Sequence, residues 1–132
     1  MKIINTPPPN YKEIQSHFPD ADFNNGVLFT YGDTCYCKDI SADLIAHEET
    51  HTKQQTAKGM TPKKWWAKYF KDPKFRLDQE LEAYKNQWKF IQKHINDREN
   101  KARLLHHIGL SLSGKIYGNI ITYTEAKNLI TK

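Results

Sequence analysis

The chain has 132 residues, 38% of them hydrophobic and 27% charged, with a formal charge of +5 and a pI near 9.1. That length suits a single domain, residues 1–132, with a modest core, and the composition is polar but globular. The absence of any apolar run of about 18 residues excludes a transmembrane helix, and MKIINTPPPN lacks the apolar stretch of a secretory signal, so a cytoplasmic location is expected.

Pro7-Pro8-Pro9 makes residues 1–10 an extended arm, and Asn10 is placed to cap a short helix through Tyr11, Ile14 and Phe18 that Pro19 stops. The β-branched and aromatic run Gly26 to Tyr31 predicts a strand, Gly32-Asp33 a turn, and Thr34 to Cys37 the return strand. Cys35 and Cys37, the only cysteines, lie two apart on one face of that strand. This is poor disulfide geometry, so they are read as unpaired thiols. Ser41 then predicts the N-cap of a helix, with Asp43 favourable in its first turn and Gly59 marking its end. Thr61-Pro62 opens the next helix, through Trp65, Trp66, Tyr69 and Phe70, and Asp72-Pro73 breaks it.

A long helix follows from Pro73 to Ile95, with an apolar stripe of Leu77, Leu81, Tyr84, Trp88, Ile91 and Ile95 at alternating spacings of four and three. A further helical stretch runs from Arg98 to Leu110. Ser111 to Gly114 interrupts it, Tyr117-Gly118-Asn119 turns, and Thr124 to Lys127 opens a short terminal helix. The fold class expected is therefore α+β, mostly α-helical. Basic residues are densest from Lys58 to Arg76, interleaved with aromatics. That pattern reads as a solvated lysine face over a buried aromatic stripe, and nucleic acid is not the expected partner.

Chemistry concentrates at His47-Glu48-Glu49-Thr50-His51, an HExxH pattern. Residues four apart on a helix share a face, so His47 and His51 can address one metal ion, with Glu48 beside it as a general base for water. Leu44, His47, Glu48 and His51 fall within about 100° of arc, the inward sector of the helix. A catalytic zinc takes three protein ligands, and the long helix offers Glu80 and Glu82. Glu80 lies about 60° from the centre of the apolar stripe and Glu82 about 140° away, so Glu80 is the expected third ligand. An ion pair with Arg76, four residues earlier, is the other reading of Glu80, and Arg76 could also orient a liganding carboxylate. Ala83 is small enough to let the two helices approach closely.

HEETH on one helix and Glu80-Leu81-Glu82-Ala83-Tyr84 on a later one resemble the gluzincin arrangement of small metallopeptidases. The match covers His47, Glu48, His51, Glu80 and Ala83. Tyr84 stands where those families often carry Asp or Asn, so a supporting hydrogen bond they use is expected to be missing or replaced. More closely, GVLFTYGDT, LIAHEETHTKQQ, WWAKYF, FRLDQELEAY and SGKIYGNIITYTEA are similar to small metallopeptidases encoded by tailed bacteriophages. The resemblance implies a minimal zincin-like domain with one zinc ion, an active-site helix preceded by a β-hairpin, a phage or prophage origin, and a peptide or protein substrate.

On this reading His47, His51 and Glu80 hold zinc, Glu48 takes and returns the proton, and an edge strand between Val27 and Cys37 pairs with an extended peptide. Candidates for an oxyanion donor are His106, His107 and Tyr117, with Tyr117 preferred. His17 and His94 read as ordinary helix residues. The competing reading is a zinc-binding phage accessory or structural protein of the same fold without turnover.

Overall fold

A computed structural model describes residues 1–132 as six helices and a small sheet, an α+β fold that is mostly helical. The arm is more than extended. Lys2–Ile4 forms a first strand, β1, parallel to β3 (Thr34–Tyr36), with Ile3 opposite Cys35. β2 (Phe29–Tyr31) pairs antiparallel on the other side of β3, Thr30 opposite Cys35, so the sheet order is β1-β3-β2. Gly32 opens the two-residue turn between β2 and β3 with φ 64°, the conformation that such a turn demands of its first residue. The strand is shorter than Gly26 to Tyr31, because Phe23–Asn25 turns as a 3-10 helix ending on left-handed Gly26.

The helices are α1 (Tyr11–His17), α2 (Ala42–Gln55), α3 (Pro62–Lys71), α4 (Pro73–His94), α5 (Arg98–Leu112) and α6 (Tyr123–Thr131). Asn10 and Ser41 stand at the caps of α1 and α2 but make no side-chain capping bond; the Ser41 hydroxyl donates instead to Asp43. Thr61 and Asp72 do cap α3 and α4, each just ahead of a proline. α6 begins on a reciprocal Thr122–Glu125 capping box. No helix is long and apolar enough to cross a membrane.

Two hydrophobic clusters form. One gathers Ile14, Phe23, Phe29, Trp65, Trp66 and Tyr69 between α1, β2 and α3. The other joins Tyr84, Ile91, Ile108, Leu112, Ala126 and Ile130 between α4, α5 and α6. The lysines of α3 point outward over the buried aromatic stripe, and Cys35 and Cys37 are buried and unpaired.

α4 departs from the single stripe. Leu77, Leu81 and Trp88 are only half-buried, whereas Arg76, Glu80, Ala83 and Gln87 form the deepest line together with Tyr84 and Ile91. The helix lies between two neighbours, presenting its apolar stripe to α5 and α6 and a polar line to α2.

Candidate metal centre

α2 buries His47, Glu48, Thr50, His51 and Gln55, and not one apolar residue as deeply. A polar face of that kind is costly unless each group finds a partner. Gln55 spans to β2, receiving the Gly32 N–H and donating to the Thr30 carbonyl. Thr50 bonds back to the Ala46 carbonyl and accepts from Asn86. The remaining three converge. His47, Glu48 and His51 offer ligand atoms that all lie within 4.8 Å of one another and could hold a metal ion.

α4 brings Glu80 to the same point. Its Oε1 lies 3.2 Å from His47 Nε2 and 3.3 Å from His51 Nε2, and the two Nε2 atoms are 3.2 Å apart. Glu80 is 3% exposed, while Glu82 stands at the surface, as the helical wheel predicts. Arg76 does not pair with Glu80. Its guanidinium donates to the carbonyls of Tyr69 and Tyr117 and lies over the rings of Phe18 and Tyr69. Glu48 sits differently from Glu80: Oε1 accepts from the Thr30 hydroxyl at 3.0 Å, and Oε2 is 3.5 Å from His47 Nε2.

The supporting residues come from α3 and from polar positions that periodicity does not mark. Tyr69 donates to Glu80 Oε2 at 2.6 Å, and Trp65 stands edge-on to His51. His47 Nδ1 meets Gln87 Oε1 at 3.1 Å, and His51 Nδ1 meets Gln54 Oε1 at 2.8 Å. Tyr84 packs its ring against His47, and the hydrogen-bond partner of that imidazole is Gln87, one turn later. Sequence reading missed Thr30, Tyr69, Gln54 and Gln87. Gln54 and Gln87 had a findable signal, three residues after His51 and seven after Glu80 on the same helical faces.

Electrostatics follow from burial. Burial works against a charged His51, but the adjacent Glu80 carboxylate outweighs it and raises the imidazole to about 9. Burial also works against the Glu80 anion, yet the charge of His51 and the contacts with the two imidazoles hold that carboxyl well below its usual range. Burial, reinforced by Glu80, raises the Tyr69 phenol.

Of the three oxyanion candidates, only Tyr117 reaches this place. It follows α5 in a 3-10 turn, and its hydroxyl lies 2.8 Å from that of Tyr84. His106 bonds to Tyr123 at the surface, and His107 is exposed beside it. A small cavity of about 60 Å³ reaches from the histidines toward Ile14, Phe18 and Ala21. An open cleft of about 460 Å³ passes over His47 and Glu48, walled by Val27, Leu28, Leu44, Leu110, Ile116 and Tyr117.

β2 is an edge strand, but its Thr30 carbonyl is occupied by Gln55 and by the Trp66 indole. That restricts strand addition to its beginning, next to Leu28. The chain matches no family model, and no curated protein or solved structure matches it.

Proposed function

We propose that the chain is a small zinc-dependent metallopeptidase of minimal zincin-like form, of the kind tailed bacteriophages encode. The observation that carries this reading is the triangle of His47 Nε2, His51 Nε2 and Glu80 Oε1, with edges of 3.2, 3.2 and 3.3 Å. With both Nδ1 atoms turned to amide oxygens, all three corners present lone pairs to one another. Three acceptors so close need positive charge between them: a proton without metal, a divalent cation with it. A tetrahedral zinc with ligand bonds of about 2.0–2.1 Å sets its ligand atoms about 3.3–3.4 Å apart, so this donor set fits one zinc ion. Two imidazoles and a carboxylate also suit zinc better than harder cations.

When bound, the ion supplies Lewis-acid polarisation of a substrate carbonyl and acidifies water. The chain's own residues do the rest. Glu48, steadied through Oε1 by Thr30, keeps Oε2 toward the centre, where it takes a proton from attacking water and delivers it to the leaving amide nitrogen. Tyr117, at the wall of the cleft, is the candidate donor to the developing oxyanion. The cleft's apolar walls suit an extended peptide with an apolar side chain, paired to the backbone at Leu28.

The occupied Thr30 carbonyl and the mutual Tyr84–Tyr117 hydrogen bond favour one alternative, a zinc-binding phage accessory protein without turnover. One variant separates the two. Glu48→Gln should retain one zinc per chain by elemental analysis while peptide hydrolysis by the zinc-loaded protein disappears. Hydrolysis that survives the substitution refutes the mechanism, and a wild-type protein that binds zinc but cleaves nothing in a peptide library establishes the alternative.

A further inference from the structure

Both histidines are held by the same construction, which reaches from the centre toward the surface. His47 Nδ1 faces Gln87 Oε1, and Gln87 Nε2 donates to Asp43 Oδ2 at 2.8 Å. His51 Nδ1 faces Gln54 Oε1, and Gln54 Nε2 donates to Glu82 Oε1 at 2.8 Å and to the Gln79 carbonyl at 3.0 Å. An ionised carboxylate can only accept hydrogen bonds. The amide nitrogen must therefore face the carboxylate, which turns the amide oxygen inward, and an inward oxygen requires the proton on Nδ1. Each Nε2 is then left with its lone pair toward the centre.

We infer that Asp43 and Gln87 are positioning residues that set the tautomer of His47, and that Gln54, with the Gln79 carbonyl and Glu82 as alternative acceptors behind it, sets that of His51. A glutamine alone could not do this. Its amide is close to symmetric in shape and could present either end to an imidazole, so the orientation comes from the acceptor behind it. The two arms are not equal. Gln54 keeps the Gln79 carbonyl when Glu82 is removed, whereas Asp43 is the one acceptor for the Gln87 amide nitrogen. Asp43 is itself fixed through its other oxygen by the Ser41 hydroxyl. The arm to His47 therefore depends on one carboxylate, and the arm to His51 has a second anchor.

The effect on zinc rests on the metal-site reading proposed above; the effect on the tautomers does not. The test uses long-range ¹H–¹⁵N correlation spectra of the metal-free protein, recorded where the imidazoles are neutral, together with zinc affinity from competition with a chromophoric chelator. In the wild type both histidines should carry the proton on Nδ1. Asp43→Ala should give His47 a mixture of tautomers and lower zinc affinity about 10–100-fold. Asp43→Asn, which still offers an oxygen, should stay within a few-fold of wild type, as should Glu82→Ala. Gln87→Met, with no amide to orient, should lose at least as much as Asp43→Ala, and it carries the test if the alanine variant does not fold.

A His47 that remains Nδ1-protonated with unchanged zinc affinity in Asp43→Ala and Gln87→Met overturns the inference. A wild type that takes up no zinc overturns the metal reading, and the tautomers then decide the relay by themselves.

Discussion

Glu48 and Glu80 are both buried glutamates beside the same imidazoles, and their different partners separate their roles. Glu80 is held from behind by a tyrosine and shares one oxygen between two histidines, whereas Glu48 is tied to a strand threonine and touches one histidine from the side. Thr30→Val tests that tie. Losing one hydrogen bond to a carboxylate is worth about 1.5 kcal/mol, so turnover should fall about tenfold with zinc content unchanged. Parallel loss of both would place Thr30 in support of the whole centre.

The His51–Glu80 pair makes a second prediction. In the metal-free chain His51 is raised from its ordinary 6.5 to about 9, so the attraction stabilises the fold fully below the ordinary value and is lost as pH rises through about 9. Ligation needs the neutral ring. Zinc binding near neutral pH should therefore release about one proton from His51, and apparent affinity should rise about tenfold per pH unit until the ring has titrated. Calorimetry in two buffers of different ionisation enthalpy counts that proton, and a count of zero would contradict the assignment.

At the scale of elements, α2 and α4 meet along polar lines with Ala83, fully buried, between Glu80 and Gln87. Ala83→Leu would force the two helices apart. It should destabilise the protein by about 1–3 kcal/mol in a denaturant titration and weaken zinc binding with it, because Glu80 moves relative to the histidines.

The same two helices mark what the sequence disclosed. Spacing alone was enough to put His47 and His51 on one face and to favour Glu80 over Glu82, since helical geometry is local. The apolar stripe of α4 was legible too, but its second, polar face was not, because that face answers to α2, a helix far away in sequence. β1 was hidden for a like reason. Three residues at the terminus carry no periodic signal, and their parallel pairing with β3 is a non-local contact. The glutamine partners of the histidines are polar residues on helices, which read as solvent-facing until the neighbouring helix is in place.

For the whole molecule, the proposed centre occupies the seam between the two hydrophobic clusters. Tyr117 packs against both, and its carbonyl is anchored by Arg76 from α4. An ion bound at the seam would tie together two clusters that share Tyr117. Free zinc at 100 times Kd should add about 2.7 kcal/mol, roughly 10 °C in Tm for a chain of this size, and a chelator should remove it. Differential scanning calorimetry of the zinc-loaded protein, with and without chelator, checks this; a Tm indifferent to the chelator would argue that the seam does not depend on the ion.

The polar interior face of α2 also has a meaning in folding time. A helix that adds no deeply buried apolar residue gains little from collapse, so the two clusters can condense while α2 is still undocked. Its docking is then driven by partners that must already be in place: Thr30 on the hairpin, Gln79, Glu80 and Gln87 on α4. On this order α2 docks last, and a nascent chain would expose its HEETH face to solvent until the rest of the protein has formed the slot that receives it.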